Sequence, residues 1–218
     1  MAGGFKWRTL ARSISMLACA AGAAVSLTAT GARAENYHYT YKRSPMPLLL
    51  DSSRVAVFRN SDGAIDAQGR GVARPDLGES IAELGIVAGE LEPMAVRGWT
   101  TVRSPAVAGR GAGEEAVLDS VFLMANAAVG DFVSPVFLDE IGPVVVTQDL
   151  LIGFEADISQ QEADRMIADL DLGEIVERSV QGMPGVYRVR SKSRNGFDVL
   201  RQSNEASFRA EVRFVEPD

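Results

Sequence analysis

DLLIGFEADISQQEADRMIADLDLGEIVERSVQGMPGVYRVRSKSRNGFDVLRQSNEASFRAEVRFV, residues 149–215, is the stretch that decides the fold. Its periodicity changes in a definite order. Asp149 to Glu155 is a mostly apolar run around Leu150-Leu151-Ile152 and reads as a strand. Ser159-Gln160-Gln161-Glu162 has the form of a capping box, in which Ser and Glu each bond the other's backbone amide. Ala163, Met166, Ile167 and Leu170 follow at i, i+3, i+4 and i+7, one face of a helix that Gly173 is expected to end. Glu174 to Val180 reads as a strand and Gly182-Met183-Pro184-Gly185 as a turn. Val186-Tyr187-Arg188-Val189-Arg190 alternates as a half-buried strand does. A weaker helix over 197–208 and a strand over Glu211 to Val215 complete the order strand, helix, strand, strand, helix, strand. That order is the split βαβ, ferredoxin-like unit.

Upstream the same order recurs more loosely. Arg54 to Phe58 is a strand, and Asn60-Ser61-Asp62-Gly63 a turn into a glycine-bearing loop over 62–74. Asp76 caps a short helix carrying Leu77, Ile81 and Leu84 on one face. Residues 86–103 hold one or two strands, Trp99-Thr100-Thr101-Val102 being the clearer. A second helix places Leu118, Val121, Phe122, Ala125 and Val129 together, and Asp131 to Leu138 closes the segment. The closing stretches correspond: Gly130-Asp131-Phe132-Val133-Ser134-Pro135 and Val212-Arg213-Phe214-Val215-Glu216-Pro217. Repetition at a period of this kind points to duplicated architecture. The expectation is an α+β protein with two tandem ferredoxin-like (βαββαβ) modules, a looser one over 35–138 and a cleaner one over 139–218. Helices would cover one face of each sheet. The opposite faces, bearing Glu174, Glu177, Arg188 and Arg190 among others, would stay open for docking.

Residues 1–34 read as a signal peptide. Lys6, Arg8 and Arg12 form a positive n-region, Ile14 to Thr28 is apolar and rich in small residues, and Ala32-Arg33-Ala34 places cleavage after Ala34. A lipoprotein signal at Cys19 lacks an apolar run before it, and the run is short for a retained membrane span. The chain is therefore expected to be exported, to a periplasmic or extracellular location, with no membrane partner after cleavage. Cleavage leaves 18 basic against 29 acidic residues, a net charge of −11. Such a surface disfavours nucleic acid and anionic membranes as partners. The single cysteine, Cys19, falls in the leader, so the mature chain carries no thiol nucleophile, disulfide or cysteine metal site.

Catalytic chemistry has little to draw on. The single histidine, His38, lies in the polar, aromatic lead-in Tyr37-His38-Tyr39-Thr40-Tyr41, where nothing in the pattern supplies the third group of a relay. No Asp-x-Asp-x-Asp run of the EF-hand kind occurs, and Glu114-Glu115 and Asp139-Glu140 are sequence neighbours that do not face one another. Gly109-Arg110-Gly111-Ala112-Gly113 precedes a helix without a Walker lysine, and Glu114-Glu115 would repel phosphate there. No enzyme, cofactor or metal is expected.

Several segments of the second module, taken in order, carry a resemblance. Val146-Thr147-Gln148-Asp149-Leu150-Leu151-Ile152-Gly153-Phe154, the helix from Glu162 to Gly173, Pro184-Gly185-Val186-Tyr187-Arg188-Val189 and Val212 to Asp218 are the segments concerned. Together they resemble the propeptides of bacterial subtilisin-type serine proteases, of the fervidolysin N-terminal prodomain kind. Phe132-Val133-Ser134-Pro135-Val136-Phe137 is similar to the segment before the opening strand in such precursors. The resemblance implies a ferredoxin-like domain that templates folding of a subtilisin-like serine protease, in cis or in trans, and then inhibits it. It also implies a C-terminal tail in the protease cleft, here Phe214, Val215, Glu216, Pro217 and Asp218. Glu174 and Glu177 are the candidates for docking from the sheet face. In precursors of this family a catalytic domain follows, whereas the present sequence stops at Asp218. An N-terminal fragment of a precursor and a detached extracytoplasmic interaction module both stay open beside a stand-alone propeptide-like protein.

Overall fold

Val55-Ala56-Val57 has no polar side to turn toward water, and all three residues are fully buried. They lie near the C-terminal end of the central strand of the first sheet. The computed structural model describes residues 37–41, 44–60, 64–65, 71–72, 74–103, 105–107, 113–139 and 142–217. The leader with its cleavage residue Ala34, most of the 62–74 loop, Gly109–Ala112 and Asp218 lie outside the described residues.

The elements run β1 (His38–Tyr41), β2 (Ser44–Pro47), β3 (Leu49–Phe58), β4 (Ala64–Ile65), β5 (Gly71–Val72), α1 (Leu77–Glu83), β6 (Ile86–Val87), β7 (Leu91–Pro93), β8 (Trp99–Arg103), β9 (Ala106–Val107), α2 (Glu114–Asn126), β10 (Phe132–Leu138) and β11 (Pro143–Val145). The C-terminal half adds β12 (Asp149–Phe154), α3 (Gln160–Asp169), β13 (Glu174–Arg178), β14 (Val186–Arg190), α4 (Gly196–Ser207) and β15 (Val212–Pro217). The fold is mixed α+β. Its two larger sheets are antiparallel, ordered β11-β10-β3-β8-β7 and β13-β14-β12-β15. Among the described residues there are also the two-stranded pairs β1-β2, β4-β5 and β6-β9.

Local signals act as their chemistry predicts at several points. Asp76 accepts from the amides of Gly78 and Glu79 at the start of α1. The capping box at Ser159 and Glu162 is formed in both directions. α3 ends differently from the expectation: it stops at Asp169, and Asp171, not Gly173, takes the left-handed position (φ 48°). The Leu172 amide reaches the Ile167 carbonyl and the Asp171 amide that of Ala168, which is a Schellman closure. Gly173 is glycine for another reason: a Cβ there would run into the Arg190 carbonyl.

The open-face expectation needs correcting for the first sheet. Val55, Val57, Val102 and Val133 share one apolar cluster with Ile81 of α1 and Val117, Val121 and Met124 of α2. The alternate residues Ala56, Trp99 and Phe132 are also buried, in a second cluster that continues into the core of the C-terminal half. A strand covered on both faces loses its polar alternation, which is how Val55-Ala56-Val57 reads. Val121, Ala125 and Val129 of the expected α2 stripe are buried, and Ala116, Val117, Ser120 and Met124 widen it. Phe122 departs from the expectation: it is 41% exposed and stacks on Phe197.

The two halves are sewn together at β10 and the start of α4. The Val133 amide donates to the Arg194 carbonyl at 2.9 Å, and Val133 forms a parallel bridge with Asn195. Ser134 Oγ accepts from the Val146 amide at 3.0 Å. A Cβ on Gly196 would meet Ser134 Oγ at 2.7 Å and Pro135 Cδ at 2.9 Å, so only glycine allows this approach. Phe197, Phe137 and Tyr37 pack beside it in tilted and edge-on contacts, with centroids 5.5–6.3 Å apart. Residues 35–218 form one compact unit.

Candidate functional site

Alternation along β12 and β14 separates two kinds of side chain. Leu150, Ile152, Tyr187 and Val189 enter the core with Ala163 and Ile167 of α3 and Val199 and Leu200 of α4. The intervening residues form the face without helices, and the strand register arranges them in rows across the sheet. One row runs Glu174, Arg190, Asp149. The next runs Glu177, Arg188, Leu151, Glu216, and the third Val186, Gly153, Phe214. Four carboxylates thus stand with two guanidiniums on one small face. An apolar strip runs along its side.

Ion pairs order the charged rows. Arg190 holds Asp149 with two bonds, Nε to Oδ1 at 2.8 Å and Nη2 to Oδ2 at 3.2 Å, and its pKa is raised chiefly by that carboxylate. Arg188 Nη1 lies 3.5 Å from Glu177 Oε2. These pairs are partly exposed, so they fix geometry more than they stabilise the fold. Gly153 explains the apolar strip: a Cβ there would collide with the Phe214 ring, so the ring lies directly over the glycine backbone. Arg213 stacks its guanidinium 5.3 Å from the same ring. At the far edge, β13 carries a bulge between Ile175 and Glu177, which leaves Val176 45% exposed.

The residues expected as docking face and as cleft tail lie on the two edges of this sheet. Glu174 and Glu177 are exposed on β13, one edge of the sheet. Phe214, Val215, Glu216 and Pro217 are in β15, the other edge, paired with β12 from Val212 to Pro217. Val215 points inward and is fully buried, whereas Phe214 and Glu216 share the open face with the two glutamates. Asp149, Leu151 and Gly153 complete the face and were not singled out from sequence. Their signal is register, since only pairing shows which partner each stands beside.

Other places offer less chemistry. An open groove of 540 Å³ beside α1 is lined by Gly78, Ala82, Ile86, Val87 and Leu91 among others, without a titratable or nucleophilic side chain. Among the described residues, no three His, Cys, Asp or Glu side chains cluster as metal ligands would. No helix among them is long and apolar enough to cross a membrane. The His38 carbonyl accepts from Asn204 at 2.7 Å. No protein-family model matches the chain, and no curated protein matches its sequence.

Proposed function

We propose that this chain is an exported, non-catalytic, propeptide-like module that binds a subtilisin-type serine protease, as folding template or inhibitor, through the open face of its C-terminal sheet. The observation that carries this reading is the arrangement of the segments that resemble such propeptides. They fall on β12, α3, β14 and β15, and the three strands are neighbours in one sheet. Counting strands along the chain, that sheet has the order second, third, first, fourth, with a helix after the first and after the third. This is the ferredoxin-like order. In the first half β3, β7, β8 and β10 follow the same spatial order, with α1 and α2 in the corresponding places. We read the chain as two ferredoxin-like copies that share core residues.

The face suits a protein partner. Its carboxylates outnumber its guanidiniums, so it complements the positive ends of helices or a basic patch. Leu151, Val176 and Phe214 supply apolar contact within that charged frame. A second reading, a detached extracytoplasmic interaction module, is favoured by β15 itself. Residues 212–217 pair with β12, so Phe214 to Pro217 are strand residues of the sheet instead of an extended tail.

Residues 35–218, titrated against a panel of subtilisin-type proteases and their denatured mature forms, separate the two. Saturable inhibition or recovered activity is expected, weakened at least about tenfold by Glu174→Lys with Glu177→Lys. Plain digestion of the chain, with no effect on any protease, favours the detached module.

A further inference from the structure

The β1–β2 hairpin lies at the corner between α4 and β15. Among the described strands, β1 and β2 pair with each other, and β2 is exposed along its whole length. Asn204 of α4 fastens it. The Asn204 Nδ2 donates to the His38 carbonyl at 2.7 Å, and Oδ1 accepts from the Thr40 hydroxyl at 3.1 Å. Thr40 is buried by this contact region. One donor and one acceptor from a single amide give β1 what a neighbouring strand would give it. The adjacent helix residue, Ser203, donates its hydroxyl to the Val215 carbonyl at 3.2 Å. One turn of α4 therefore serves both the hairpin and the edge strand.

Among the described strands, β15 pairs with β12 and ends the sheet. A bare edge invites strand addition, and folded proteins cover such edges. A two-stranded hairpin is marginal by itself, so a cover of this kind opens more readily than the sheet beneath it. We propose that the β1–β2 hairpin is a displaceable cover on the outer edge of β15, with Asn204 as its latch, and that an extended segment of the protease partner replaces it by strand addition. Main-chain pairing supplies the affinity of such an exchange and tolerates many sequences. The replacing strand rests on the protease reading above; the cover and its latch do not.

Hydrogen exchange on the chain and its variants Asn204→Leu and Thr40→Val tests the cover. Amides of 38–41, Ser44, Met46 and 212–216 should exchange about tenfold faster in Asn204→Leu and less so in Thr40→Val, with α3 and β13 unchanged. Unaltered exchange over 212–216 in both variants overturns the cover, as does uniform acceleration along the whole chain. Asn204→Leu should also tighten protease binding several-fold, because opening no longer opposes it. A faster edge with unchanged affinity overturns the strand exchange alone. Failure of the unaltered chain to bind any protease fails the functional reading and leaves the exchange result standing.

Discussion

Ala128 and Gly173 put side-chain chemistry and backbone geometry in opposite relations. Ala128 follows α2 in the left-handed region (φ 55°), where the Ala128 amide bonds the Ala125 carbonyl and the Val129 amide that of Met124. This is the same Schellman closure that Asp171 makes after α3. Glycine would hold the conformation at lower steric cost, so Ala128→Gly should stabilise the chain by about 0.5–1 kcal/mol. Gly173 has φ 133°, and a Cβ would strike the Arg190 backbone, which is pinned between β13 and β12. Gly173→Ala should cost about 3 kcal/mol or more, because both the dihedral and the contact are wrong for alanine. Urea midpoints of the two variants should therefore move in opposite directions. Sequence alone made Gly173 a helix stop. Its real constraint comes from a strand seventeen residues on, which no local pattern announces.

At the scale of elements, a carboxylate clasps the strand ends around β10. Asp131 accepts from Arg74 at 2.6 and 2.9 Å and from the Asn60 amide at 2.7 Å, joining the start of β10 to the end of β3 and the approach to α1. The Arg74 hydrogen bonds, followed by the Asn60 amide, hold its pKa below the ordinary carboxylate value. A folded-state pKa lower than the unfolded one contributes stability that is complete above the unfolded pKa, near 3.8, and fades as pH falls through the lower folded value. The effect is modest, since the Asp131 side chain is 36% exposed. Asp131→Asn should lower the urea midpoint at pH about 7, and the difference should close as pH falls below the unfolded value near 3.8. A constant difference across that range would mean that the charge is not what matters. Legibility follows the same physics. The α3 cap and the alternation of β14 were readable because one side of each meets water. In α2 the pattern cannot separate Phe122, which is exposed, from Val121 and Ala125, which are buried, because all three are apolar. The length of β3 and the pieces β6 and β7 were obscure because their pairing lies in distant strands.

For the whole molecule, the question is whether two similar sheets behave as two proteins. The open face of the second sheet was foreseeable from the charges on β13 and β14, but the closed second face of the first sheet was not, because it depends on contacts between halves. Trp99 and Phe132 belong to the same apolar cluster as Leu150, Val189 and Val215. Phe197, from the second half, stacks on Phe122 and packs edge-on to Phe137, both from the first. A cluster shared in this way couples the unfolding of its contributors, so residues 35–218 should lose structure in one transition. Trp99 is the sole tryptophan of that stretch and sits in the first sheet, which makes its emission a reporter of the first half. Phe197→Ala, a change in the second half, removes part of the shared aromatic group and should destabilise by about 2–3 kcal/mol, less than a fully buried phenylalanine because Phe197 is only partly buried. The Trp99 midpoint and the far-ultraviolet circular dichroism midpoint should coincide in the unaltered chain and shift together in the variant. A Trp99 midpoint that stays in place while the dichroism midpoint falls would mean that the halves fold independently and that the seam at β10 and α4 is mere contact.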